Sequence, residues 1–249
     1  MNTPVGFDSY LAFINCQLQP PGKPASFASE GSRKRAVAIS RQSGCGAHVM
    51  AEKLAQYLQA RSPKDAPPWT VFDHNLVEKV LAEHNLPERL ARFMPEDRVL
   101  EINDIMDELF GLHPPSWTLV QQTSETILHL AELGNVIILG HGANVITAKL
   151  PHVFHVRVVA SLEKRIEHMQ QFEGLSAKAA SERIQREDLG RQRYLKKHFG
   201  KNIDDPLLYH LVINTDLVSL DDAARLVGEA VLHQGVTGPA RGQGALRIA

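Results

Sequence analysis

Residues 40–48 read Ser-Arg-Gln-Ser-Gly-Cys-Gly-Ala-His, and they lie between the apolar run AVAIS at 36–40 and a segment with helical periodicity at 49–60. This junction constrains the chain more than any other stretch. Gly44 and Gly46 let the backbone turn tightly, so that successive N–H groups aim at one point. The following helix adds the positive end of its dipole, and Ser43, Gly44, Cys45, Gly46, Ala47 and His48 together form a cradle suited to phosphate. The same residues are also compatible with a tight strand-to-helix turn that holds no ligand.

The loop departs from the full phosphate-binding signature G-x-x-x-x-G-K-[ST]. That pattern requires glycine at 41, lysine at 47 and a hydroxyl residue at 48, where this chain has Arg41, Ala47 and His48; only Gly46 agrees. The lysine ordinarily reaches the terminal phosphates and the hydroxyl ordinarily holds Mg²⁺. Arg41 is the candidate substitute charge, with His48 the weaker one.

Four more short apolar runs follow, at 69–72, 135–140, 153–159 and 210–215. Several are nearly continuously apolar, as strands are when both faces of a parallel sheet are covered. Helical patterns at 75–82, 96–110, 116–133, 162–172, 177–199 and 221–232 alternate with them, which argues for βαβ crossovers and a doubly wound α/β sheet. About sixty residues separate the second and third runs, too many for one crossover, so a helical insertion over one edge of the site is expected. A dinucleotide-binding domain is the alternative fold, although the loop lacks a full G-x-G-x-x-G.

The ends differ from this middle. Residues 1–35 are expected to be an amphipathic helix (8–18) and a flexible Pro/Gly/Ser-rich linker, 36–233 the folded domain, and 234–249 a disordered tail. The formal net charge of −1 gives no overall reason to expect nucleic acid or an acidic membrane surface as partner. No apolar run approaches the ~18–20 residues needed to span a bilayer. Two cysteines without a CxxC pair or a signal-peptide pattern point to the cytoplasm.

The helix at 177–199 carries a second signal. Arg183, Arg186, Arg193 and Lys197, with Gly190 among them, follow offsets of three and four and share a face, while Asp188 and Arg191 can pair on another. Such a helix can close over phosphates through bidentate arginine contacts, or can simply present a solvated face. Cys45 stands at a helix N-terminus, where a thiol's pKa tends to fall, but a small residue accommodated in a tight turn accounts for it better than a nucleophile does. Asp73 can cap the next helix or contact a ligand.

Taken in order, ISRQSGCGAHVMAEKLA (39–55), VFDHNLVEKV (71–80), VIILGHGANVI (136–146), VFHVRVVASLEKRIEHM (153–169), the segment 173–200 and DDPLLYHLVINTD (204–216) resemble the cytidylate kinase-like proteins. The resemblance covers 36–232. It implies a P-loop NTPase-like three-layer sandwich with a five-stranded parallel sheet, a helical monophosphate-binding insertion and a lid. It further implies transfer of the γ-phosphoryl group of ATP, with Mg²⁺, to a nucleoside monophosphate such as CMP. On this reading Ser43 to His48 bind the donor, and Arg41, Arg191 and Arg193 serve catalysis. Asp73, His141, Arg186 and Asp188 bind the acceptor, with His141 where the family usually has arginine. The partners implied are small-molecule nucleotides, not nucleic acid or membrane, with the N-terminal segment as a site for a protein partner. The second reading is a catalytically impaired nucleotide-binding protein of the same fold, because histidine at 48 and 141 removes permanent charge.

Overall fold

The computed structural model describes residues 35–63, 66–73, 105–106, 109 and 118–234. The expected N-terminal helix and linker, the C-terminal tail beyond 234, the helix at 75–82 and most of the insertion between 74 and 117 lie outside the described residues.

Five strands form one parallel sheet: β1 (Ala36–Arg41), β2 (Thr70–Phe72), β3 (Val136–Leu139), β4 (Val153–Val159) and β5 (Leu211–Asn214), in the order β2-β3-β1-β4-β5. The central strand β1 pairs on both sides, Ala36 with Val136 and with Val153. Helices α1 (Ala47–Gln59), α2 (Thr118–Leu133), α3 (Ala143–Ile146), α4 (Leu162–Glu173), α5 (Ala177–Phe199) and α6 (Leu220–His233) alternate with the strands. The four-residue α3 is too short to stand out as a periodic pattern, and the sequence reading passes over it.

Side chains alternate along β1 and so divide the core into two layers. Ala36 and Ala38 face a cluster with Ile127, Leu128 and Ala131 of α2. Val37 and Ile39 face the other cluster, with Leu54 and Leu58 of α1 and Val227 and Val231 of α6. Each fully buried Leu, Val or Ile contributes about 1.5–3 kcal/mol. Burial on both faces explains why the β1 run is apolar throughout. Among the described residues, no helix is long and apolar enough to cross a membrane.

Two buried histidines make this fold sensitive to acid. His155 contacts Thr147 Oγ1 through Nε2 at 3.0 Å, and its backbone N–H donates to His210 Nδ1 at 2.8 Å. Burial lowers both His155 and His129 to about 4, from 6.5. Between these values the unfolded chain binds the protons and the folded chain does not. Stability is therefore full above about pH 6.5 and falls as the pH drops toward 4. Urea denaturation is expected to show a loss of about 2 kcal/mol per histidine between pH 7.5 and 5, with a shallower slope in His155→Gln.

Candidate functional site

The loop leaves the carboxyl end of β1 held by two hydrogen bonds: Gln42 N–H donates to Val158 O at 3.0 Å, and Ala160 N–H donates to Gln42 Oε1 at 3.0 Å. Gly44 has φ 80° and Gly46 has φ 77°. A Cβ on Gly44 would stand 2.8 Å from the backbone oxygen of Arg165, so helix α4 approaches too closely for any other residue. Helices α4, α5 and α6 start on capping serines, Ser161, Ser176 and Ser219, whereas α1 starts on Gly46 with no side-chain cap. The first-turn amides of α1 thus have no competitor from a capping side chain. Ser43 through His48 all line a cavity of about 360 Å³, whose other walls include Asp73, Glu187 and Arg191.

Cys45 is the small packing residue that the tight turn leads one to expect. It is 4% exposed with Sγ 3.6 Å from Val158 O, and burial pushes its thiol pKa up despite the helix terminus. Desolvation outweighs the dipole here, and Cys45 is a small packing residue rather than a nucleophile.

A second cavity, of about 350 Å³, lies across the carboxyl ends of β1 and β3 and is bounded by Gly140, His141, Asn144, Gly190 and Tyr194. Arg41, Glu187 and Arg191 line both cavities. Arg41 is the central member of this shared wall. Its guanidinium lies against Gly140, where a Cβ would come 1.8 Å from Nη1, and Gly140 has φ 80°. Burial and the neighbouring charge of Arg191 lower its pKa to about 10, and no carboxylate among the described residues forms an ion pair with it. At the rim, His141 Nε2 is 3.1 Å from Asp73 O, and His48 Nδ1 is 3.7 Å from the Asp73 carboxylate.

Helix α5 supplies the roof. Arg191 donates to Asp188 at 2.9 Å and to Glu187 at 3.0 Å, and Arg183 donates to Glu187 at 2.7 Å. Burial alone would raise Glu187, but hydrogen bonds from Arg183 and Ser43 and the charge of Arg191 prevail and hold its pKa down to about 2. Asp188 meets the loop instead of the second cavity, accepting from Ser43 N–H at 2.8 Å and from Arg165 at 2.6 Å. Arg186 and Arg193 are exposed and line neither of these two cavities. Their shared face exists, but it is turned to solvent because Ile184 and Leu195 fix the opposite side of α5 in the core. The structure therefore brings together Arg41, Ser43 to His48, Asp73, His141 and Arg191.

Sequence reasoning missed Glu187 and Arg165. Glu187 stands four residues from both Arg183 and Arg191, a spacing that marks ion pairs on a helix. Arg165 left no comparable signal: its side chain reaches Ser43 O at 3.3 Å only through the docking of α4 on the loop. A third cavity, about 280 Å³, opens on the far side of the loop beside Lys164, Thr215 and Asp216. There Asp216 accepts from Ser161 N–H through Oδ2 at 2.8 Å, and its buried Oδ1 has no hydrogen bond among the described residues.

A five-stranded parallel sheet, a glycine loop after its central strand and a charged helix over that loop define a P-loop kinase-type fold. The sequence profile of the cytidylate kinase-like family matches residues 36–217, and the chain belongs to that family. A comparison with curated proteins returns no match. Among solved structures, the chain is similar to an uncharacterized protein from Eubacterium ventriosum at 18% identity and TM-score 0.53, covering 80% of this chain and 98% of that one. Similarity extends to TT1252 from Thermus thermophilus, at 16% identity and TM-score 0.44, covering 83% and 100% of the two chains. It also extends to the shikimate kinase from Acinetobacter baumannii solved with shikimate, at 15% identity and TM-score 0.44, covering 82% and 96%.

Proposed function

We propose that the protein transfers the γ-phosphoryl group of ATP to a nucleoside monophosphate, CMP-like, or to a similar small acceptor. The observation that carries this reading is Arg41, a cation without an ion-pair partner among the described residues, standing where the two cavities meet. A partly buried cation that Asp73 and Glu187 attract without a direct ion pair is better satisfied once an anion completes it. Phosphoryl transfer depends on positioning and on charge placed where the transferring group passes. The loop cavity takes the donor phosphates and the second cavity takes the acceptor. Asp73 and His141 meet the acceptor at the rim, and Arg191 clamps the transferring group beside Arg41. The base of the donor is assigned to the third cavity, beside Lys164, Thr215 and Asp216.

Mg²⁺ bound with the triphosphate supplies charge neutralisation. Asp73 would offer the hard carboxylate oxygens that this ion prefers, whereas the imidazole of His48 is a poor ligand for it. Among the described residues no lysine lines the donor cavity, and this favours the second reading, a nucleotide-binding protein with impaired catalysis.

ADP formation from Mg·ATP across a panel of nucleoside monophosphates, with ATP binding measured by calorimetry, decides between the two. Turnover that needs an acceptor and falls at least ~100-fold in Arg191→Ala is the expected result. ATP binding without turnover by any acceptor would select the second reading.

A further inference from the structure

Resting on the phosphate-cradle reading, we infer that α5 carries an internal phosphate mimic, the Glu187–Asp188 pair, which latches the donor site shut until a polyphosphate displaces it. The contacts are those a bound phosphate makes. Asp188 Oδ1 takes the Ser43 N–H at 2.8 Å, and Glu187 Oε2 takes the Ser43 hydroxyl at 2.5 Å. Two carboxylates, presented from adjacent positions of one helix, thus occupy both donors of Ser43, the residue that opens the cradle. The same carboxylates hold the guanidinium of Arg191. An arginine satisfied in this way has less attraction left for a ligand.

The exchange conserves hydrogen bonds. Incoming phosphate oxygens replace carboxylate oxygens on Ser43 N–H, on Ser43 Oγ–H and on the fork of Arg191. A shift of α5 then draws Glu187 and Asp188 off Ser43, while Arg191 stays on the phosphate and Asp188 keeps Arg165 as counter-charge. The apparent affinity for polyphosphate is the intrinsic affinity reduced by the fraction of molecules unlatched. The latch therefore lowers the apparent affinity of any anion, because binding must first displace both carboxylates.

The test measures binding of magnesium-free tripolyphosphate and of ATP by calorimetry to four full-length proteins: the parent, Glu187→Gln, Asp188→Asn and Glu173→Gln. Glu173 is the control, since it lines the same cavity and pairs with Arg183 at 2.5 Å, with no hydrogen bond to the loop. Removing a latch carboxylate is expected to tighten binding roughly tenfold, within the range of ordinary coupling energies, while Glu173→Gln stays near the parent. An equal gain in Glu173→Gln would reduce the effect to net charge and overturn the latch. Binding by the parent that is unchanged or weaker in both latch variants would also overturn it, and would leave the cradle standing. Failure of all four proteins to bind either probe would overturn the cradle reading itself, and the latch with it.

Discussion

Replacing Arg41 with methionine is expected to lower acceptor-dependent turnover roughly 10³-fold while leaving the thermal midpoint unchanged or slightly raised. The two halves of this result have one cause. Arg41 lies partly buried at the end of β1, its pKa is lowered by desolvation, and no carboxylate among the described residues pairs with it. In the empty protein such a charge is a liability that an apolar side chain of similar length relieves. With the transferring phosphoryl group in place, the same charge is among the largest available contributions to the transition state. Steady-state kinetics and a melting curve on one preparation check both halves. Joint loss of activity and stability would make Arg41 a packing residue of the sheet end.

The Gly44→Ala substitution is expected to be the most damaging single methyl addition in the loop. A positive φ costs a non-glycine residue about 1–2 kcal/mol, and here the new Cβ would also meet the Arg165 backbone oxygen at 2.8 Å. A helix carbonyl cannot swing aside, so the loop or α4 must shift, for a total of about 3 kcal/mol or more. Loss of the aligned amides is expected to weaken ATP binding at least ~100-fold. Two comparisons isolate the cause. Gly46→Ala meets only the flexible end of Leu220, and Gly174→Ala, at φ 68°, meets nothing within 4 Å. The order of destabilisation should be Gly44 greatest, then Gly46, then Gly174, as read from thermal midpoints.

The sheet was legible because β1 and β3 at its centre are buried on both faces, and such burial writes itself into sequence as a nearly continuous apolar run, while the edge strand β5 leaves Val212 exposed. The strand runs at 36–40 and 153–159 agree with the observed β1 and β4 to within a residue. The helix at 177–199 agrees at both ends, since Ser176 and Gly200 punctuate it. The site was legible only where chemistry is local. The loop could be read from two glycines, and Arg41 from its place at the strand end. The exposure of Arg186 and Arg193 could not, because which face of α5 turns inward is decided by Ile184 and Leu195 against elements distant in sequence. The unexpected acidity of the roof has the same origin: Glu187 and Asp188 acquire their roles from Ser43, more than 140 positions away.

The wall between the two cavities is built from side chains of β1 and α5, and the α5 share has a bearing on tempo. Glu187, Asp188 and Arg191 sit within about one turn of the same helix and are bonded to one another. The two acids cannot leave one by one as exposed rotamers do, in picoseconds to nanoseconds; a shift of the helix draws both off Ser43 together and leaves Arg191 on the phosphate. Communication between the cavities therefore runs on the clock of collective helix motion, about microseconds to milliseconds, and the slowest event in this site belongs to a piece of backbone.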